Sequence, residues 1–262
     1  MTTLCHVICD YGIGDGAFSE VLQKLHNFAP EFQYLPLSVP AFSTLATGFW
    51  IAQLGLYRPP DKIVIFSNTA PRHDDENARD ANEGERFAYA KLDNGIEIGA
   101  INAGYAFSFI KNNIVTFHEV KTANKGSQFR SRDFYPEAFI RTISKEIELD
   151  TQLQVSNIPD VPANRIAYID GYGNIKTTIK HTEVELEPGQ KINISLNNVI
   201  HEAIYSDGIF NVNHNQLVFA PGSSGLPNDP FMEISLRTSQ VGDPSGSSLF
   251  NFPAVESELT IA

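Results

Sequence analysis

Apolar residues follow one rhythm in the first part of the chain and another in the last part. Val7, Ile8 and Cys9 form an unbroken apolar run, which predicts a strand buried on both faces. Phe18, Val21, Leu22 and Leu25 then recur at helical spacing and predict a helix over about 17–28. A short strand near 33–37 follows. The next segment, about 43–56, carries Leu45, Phe49, Ala52 and Leu56 on one helical stripe, and 63–66 reads as another buried strand. This βαβ alternation predicts a mostly parallel sheet covered by helices. Asp93-Asn94-Gly95 predicts a hairpin turn between strands at 87–92 and 96–101, and 137–147 reads as a closing helix.

From about residue 151 the rhythm shortens. Pro159, Pro162, Gly171, Gly173, Pro188, Gly189, Gly208, Pro221 and Gly222 punctuate short runs that alternate with period two, among them 191–196, 216–220 and 231–236. That pattern predicts an antiparallel β domain, a small barrel or sandwich. The expected fold class is therefore α/β. An N-terminal domain over 1–152 has a mostly parallel sheet with helices on its faces. A C-terminal β-barrel-like domain spans 160–262, with the boundary inside 149–162. No internal repeat or long low-complexity tract interrupts either part.

Length and charge narrow the picture. A chain of 262 residues, 42% of them hydrophobic, can bury one large core or two modest ones. A net charge of −12 argues against nucleic acid or an anionic membrane as partner and is compatible with a cationic small molecule. No segment approaches transmembrane length, and the N-terminus lacks a charged stretch followed by an apolar one, so a cytoplasmic protein is expected. Cys5 and Cys9 share the first strand about 13 Å apart, too far for a disulfide, and read as buried free thiols. A Cys5-His6-Cys9 metal site is short of ligands, and adjacent strand residues face opposite ways. The run from Arg72 to Glu85 contains His73, Asp74, Asp75 and Asp80. It reads as a solvated loop in preference to a metal-ligand set.

Two acidic, glycine-rich turns hold the candidate chemistry. The first, Cys9-Asp10-Tyr11-Gly12-Ile13-Gly14-Asp15-Gly16, lies between a strand and a helix. That layout suggests a dinucleotide site, but phosphates dock on bare N–H groups at a helix start. Asp10 and Asp15 would repel a phosphate there and suit a ligand with hydroxyls and positive charge. Asp15 also reads as a plain N-cap. Asp10, at the carboxyl end of the first strand, is the stronger ligand-binding candidate, because open α/β sheets bind ligands there. The second turn, Asp170-Gly171-Tyr172-Gly173-Asn174, offers a carboxylate, a ring face and an amide, and its glycines allow close backbone approach.

Taken together, these motifs resemble the S-adenosylmethionine (SAM) hydroxide adenosyltransferases, the adenosine-forming SAM hydrolases, and their fluorinase and chlorinase relatives. Asp10-Tyr11-Gly12 with Asp15 resembles the family's N-terminal acidic turn. Asn102-Ala103-Gly104 resembles its Asn-Asn-Gly, Phe129-Arg130-Ser131-Arg132-Asp133 its Phe-His-Gly-Arg-Asp, and Asp170-Gly171-Tyr172-Gly173-Asn174 with Thr177 its Asp-x-Phe-Gly-Asn turn. Gly222-Ser223-Ser224-Gly225 is similar to its C-terminal Ser-Ser-Gly or Ser-Arg-Gly turn.

The resemblance implies a role for each position. Asp10 would accept from the ribose hydroxyls, and Asp15 and Asp170 would face the methionine ammonium. Tyr172 would supply ring contact, Asn174 would read the adenine edge, and Ser223 and Ser224 would contact the methionine carboxylate. Arg130 and Ser131 fall at the catalytic positions. Two departures stand there. Ala70 replaces the hydrolase acid or the fluorinase tyrosine, and Arg130 replaces a histidine. Ser131 is closer to the fluorinase serine than to the hydrolase glycine. Arg130 is expected to form a structural ion pair with Asp133 or Glu137 in preference to holding an anion. The implied activity is SAM cleavage to adenosine and methionine by water attack at the 5′ carbon. The alternatives are a non-catalytic SAM or adenosine binder and a halide-using adenosyltransferase. SAM is substrate or ligand, with no further cofactor and no metal. In the family the site is completed between neighbouring subunits of a homotrimer.

Overall fold

The computed structural model describes residues 2–57, 62–72, 77–79, 83–123, 125–238, 240 and 242–262. His73, Asp74, Asp75 and Asp80, the residues considered as metal ligands, lie outside them. The chain divides into two compact units, Met1–Asp160 and Val161–Ala262.

In the first unit β1 (Leu4–Cys9), α1 (Gly16–Phe28), β2 (Gln33–Ser38), α2 (Thr44–Gly55) and β3 (Ile63–Asn68) alternate as their periodicities predict. A hairpin of β4 (Phe87–Leu92) and β5 (Glu97–Ile101) follows, then β6 (Ile114–Glu119), α3 (Arg130–Asp133) and α4 (Tyr135–Ile143). The six strands stand in the order β2-β1-β3-β5-β4-β6. β2, β1, β3 and β5 pair in parallel, and only the β4 pairings, to β5 and β6, are antiparallel. The continuous apolar runs of β1 and β3 are buried because the sheet is covered, with Val7, Cys9, Phe66, Phe87, Tyr135 and Phe139 in one core. Cys5 and Cys9 are buried free thiols in that core, and desolvation pushes both well above the ordinary thiol range.

The helix ends have local causes. Asp15 accepts from the Ala17 amide at 2.8 Å and caps α1. The Ser43 hydroxyl accepts from the Ala46 amide at 3.2 Å and caps α2. β6 and α3 were not legible as periodic elements: β6 is a half-exposed edge strand and α3 is one short turn.

In the second unit β7 (Ile166–Ile169), β8 (Ile175–Lys180), β9 (Lys191–Leu196), β10 (Val199–Tyr205), β11 (Leu217–Leu226), β12 (Asp229–Leu236), α5 (Gly246–Leu249) and β13 (Leu259–Ile261) form a sheet ordered β13-β9-β10-β11-β12-β8-β7. All neighbours are antiparallel except β10 and β11. The outer edges almost meet. Arg165 bridges Glu258, the Ile166 amide donates to the Ser257 carbonyl at 3.0 Å, and the Leu259 amide donates to the Asn164 carbonyl at 2.9 Å. The sheet is therefore a nearly closed, mostly antiparallel barrel, which removes most of its exposed edge. Gly222-Ser223-Ser224-Gly225 differs from expectation. It does not end its strand but forms a bulge within β11, between Pro221 and Gly225.

Candidate functional site

A cavity of about 310 Å³ opens in the first unit beside the carboxyl ends of β1, β3 and β5. Asp10 follows β1, Asn68 ends β3, Ala70 lies just beyond, and Ile101 ends β5; all four line it. Parallel strands deliver their ends to one edge of the sheet, so residues far apart in sequence converge there. Asp15, Arg130 and Ser131 also line this cavity. The sequence-derived residues of the N-terminal part thus share one site.

Asp10 is partly desolvated. One carboxylate oxygen accepts from the Phe42 amide at 2.9 Å. Burial raises its pKa above the ordinary carboxylate value, and the Phe42 bond and the Arg72 charge only partly oppose that. Phe42 and Arg72 both line the cavity and both hold left-handed backbone, with φ of 65° and 60°. The Arg72 guanidinium lies 5.4 Å from the centre of the Phe42 ring. Two non-glycine residues in this conformation at one rim store strain, as functional sites often do.

Tyr11 joins the two walls. Its hydroxyl is 2.6 Å from the Ser131 hydroxyl and accepts from the Asn68 amide at 3.2 Å. Its ring meets Phe18 and Phe129 edge-on at 5.1 and 5.9 Å. Burial is the main cause that pushes the Tyr11 phenol far above its ordinary pKa, so it is a neutral hydrogen-bonding group. The Ser131 hydroxyl is buried and oriented by that partnership.

Arg130 does not follow the expected ion pairs. Asp133 is held by Arg132 at 2.7 Å and by the Ser127 hydroxyl at 2.6 Å, and Glu137 by Arg141 at 3.2 Å. Arg130 donates to the Ser127 carbonyl at 3.0 Å, and its guanidinium lies over Gly84, where a Cβ would come within 2.2 Å of it. Adjacent Arg132 reaches Glu20 of α1 instead, at 2.6 Å. Arg132 takes Asp133 and Arg141 takes Glu137, while Arg130 lines the cavity. Tyr135 beside it is raised by burial, with the Arg130 charge opposing.

The second unit gathers the other motif residues. The Asp170 carboxylate accepts from the Tyr172 and Asn174 amides at 2.9 and 3.0 Å and from the Asn174 side chain at 3.1 Å, closing the turn on itself. Gly173 sits at φ 78°, and a Cβ there would lie 2.4 Å from the Ser245 hydroxyl. Tyr172 projects outward, 86% exposed. Beneath the turn the buried Lys176 ammonium reaches Glu233 at 2.6 Å, the Ser223 hydroxyl at 3.2 Å and Asp170 at 3.9 Å. Gly222 makes room for the Glu233 carboxylate, since a Cβ there would touch it at 2.2 Å. Ser224 is buried at the bulge.

Sequence reading missed Phe42, Lys176 and Glu233. Only Lys176 carried a signal, its place two residues past the Asp170–Asn174 turn. Among the described residues no cluster of His, Cys, Asp and Glu is suited to a metal, and no helix is long and apolar enough to cross a membrane.

The molecule thus joins an α/β unit bearing a strand-end cavity to an antiparallel barrel-like unit. Solved structures with the same architecture include an uncharacterized conserved protein from Thermotoga maritima. It has a TM-score of 0.73 and 15% identity, with 98% of this chain and 100% of that one covered. A second is a conserved hypothetical protein from Thermus thermophilus, with a TM-score of 0.66, 14% identity and all of both chains covered. At these identities the likeness establishes the fold alone. No family model and no curated protein matches the chain.

Proposed function

We propose that the protein binds SAM and cleaves it slowly to adenosine and methionine, with water attacking the 5′ carbon. The observation that carries this reading is the partly desolvated Asp10 carboxylate in a cavity at the parallel strand ends. A carboxylate there can accept from both hydroxyls of a ribose, and Asp15 adds negative potential for a sulfonium ligand. Attack forms the C5′–O bond and breaks the C5′–S bond. The electron pair stays on sulfur, a neutral thioether leaves, and water releases one proton. No acid is needed at the leaving group, so positioning and desolvation supply most of the acceleration.

Slowness follows from Ala70 and Arg130, which line the cavity where a water-activating acid and histidine would stand. A missing general base costs about 10²–10⁴-fold. The same pair supports the second reading, a SAM or adenosine binder without turnover. In our proposal Asp170, Tyr172, Asn174, Ser223 and Ser224 of a neighbouring subunit complete the site in a homotrimer.

Calorimetry with SAM, adenosine and methionine, followed by chromatography of the products, tests this. SAM should bind, with adenosine forming far below the common rate of about 10 per second. The double substitution Ala70→Asp with Arg130→His should raise adenosine formation. Absence of heat with all three ligands at millimolar concentration would refute the reading. Binding without any adenosine would leave the binder.

A further inference from the structure

Phe42 lines the strand-end cavity and is 44% exposed, so its ring is open to whatever enters. Its amide donates to the Asp10 carboxylate at 2.9 Å, which fixes the aromatic residue beside that carboxylate. An open ring next to a partly desolvated carboxylate is a cation-binding surface, since the ring face is electron-rich and the carboxylate carries a full charge. A cation of the chain itself is already there. The Arg72 guanidinium lies over the Phe42 ring, 5.4 Å from its centre, and its charge acts on Asp10. Arg72 is itself exposed, so it can leave the ring by turning into solvent. The two residues that make this contact both hold left-handed backbone, with φ of 65° and 60°. Non-glycine residues adopt that conformation where the surrounding structure imposes it.

We propose that the Phe42 ring face, in the field of the Asp10 and Asp15 carboxylates that line the same cavity, is the subsite for the cationic centre of the ligand, and that Arg72 is an internal stand-in which the ligand displaces. This rests on the reading that SAM occupies the cavity, where the cationic centre is the sulfonium. A sulfonium has no N–H or O–H to donate, so hydrogen bonds cannot recognise it. An aromatic face and nearby carboxylates can. Phe42 thereby becomes the residue that tells the charged sulfonium from a neutral thioether. Cleavage of the C5′–S bond leaves the electron pair on sulfur and removes its charge. The neutral product loses its hold on the ring, and the Arg72 guanidinium returns to it. One exposed side chain thus competes weakly with the substrate and favours departure of the product.

Tetramethylammonium tests the subsite without SAM, its methyl signal followed by nuclear magnetic resonance as the full-length protein is added. Wild type is compared with Arg72→Gln, Phe42→Leu and the double variant, their fold checked by circular dichroism. Phe42→Leu keeps the amide that bonds Asp10 and removes only the ring. Arg72→Gln should bind tetramethylammonium about threefold more tightly, the scale of an exposed cation–π contact, and adding Phe42→Leu should abolish that gain. Calorimetry then compares SAM with S-adenosylhomocysteine, its analogue uncharged at sulfur. The preference for SAM should rise by a similar factor in Arg72→Gln and fall in Phe42→Leu. Unchanged or weaker tetramethylammonium binding in Arg72→Gln, or no binding to any variant, overturns the subsite. An equal gain with and without the ring means simple repulsion by Arg72 and overturns the role of Phe42. SAM binding whose preference over the thioether ignores both substitutions puts the sulfonium elsewhere and overturns the assignment. Ring-dependent tetramethylammonium binding with no heat from SAM in any variant removes the SAM reading and leaves a cation site.

Discussion

Asp10 is a carboxylate that the fold has partly stripped of water, and its chemistry can be tested by pH. Its folded pKa lies above the unfolded value because desolvation outweighs the Phe42 bond and the Arg72 charge. The folded state then holds the proton more tightly than the unfolded chain. This group favours folding below the ordinary Asp pKa, and that contribution is lost as pH rises through the raised folded value. Asp10→Asn keeps an acceptor for the Phe42 amide and removes the charge. At neutral pH it should raise the melting temperature, with the gain vanishing in acid. Scanning calorimetry across pH decides this; an unchanged or lowered melting temperature at pH 7 would mean the carboxylate is not under strain. Asp10→Ala should weaken SAM binding by about 1.5–3 kcal/mol, the range for hydrogen bonds to a charged group, read by calorimetry. SAM affinity should also fall as pH drops through the raised Asp10 pKa.

At the scale of elements, β8 and β12 are joined through charge as well as backbone. Lys176 on β8 is 8% exposed at its side chain and pairs with Glu233 on β12, which is 12% exposed. Removing one member of such a pair leaves the other buried and uncompensated. Lys176→Met should cost about 3–5 kcal/mol in denaturant unfolding, and adding Glu233→Met should recover much of it. Equal losses in the single and double variants would show that packing, not charge, sets the effect. Because Lys176 also touches Ser223 and lies near Asp170, the pair holds the bulge of β11 against the turn after β7.

The whole molecule displays candidate ligand-binding residues in both units, and this leads to a prediction about assembly. In our proposal Asp10 and Asp15 of the first unit, and Asp170 of the second, face one cationic ligand. In the proposed homotrimer one SAM would bridge two subunits and stabilise the assembly by mass action. Light scattering should report a trimer at micromolar concentration, and the melting temperature should rise on adding SAM. A monomer whose mass and melting point ignore SAM would exclude the shared site.

Periodicity was enough to read β1 to β5, α1, α2 and α4 of the α/β unit, the Asp93-Asn94-Gly95 hairpin and the antiparallel character of the last hundred residues. These depend on local propensity and on which face is buried, and both are written in short windows of sequence. The Asp10 and Asp170 turns were legible for the same reason: glycine and acid at fixed offsets dictate a local backbone. Tertiary structure alone decided what those turns face. Parallel pairing of β1, β3 and β5 brought Asp10, Asn68 and Ala70 to one edge, and the register of β12 on β8 put Glu233 beside Lys176. Arg132 reached Glu20, a contact 112 residues apart in sequence, because α3 packs against α1. Such pairings carry no local signature, since nothing near either residue specifies its partner until the sheet order is set.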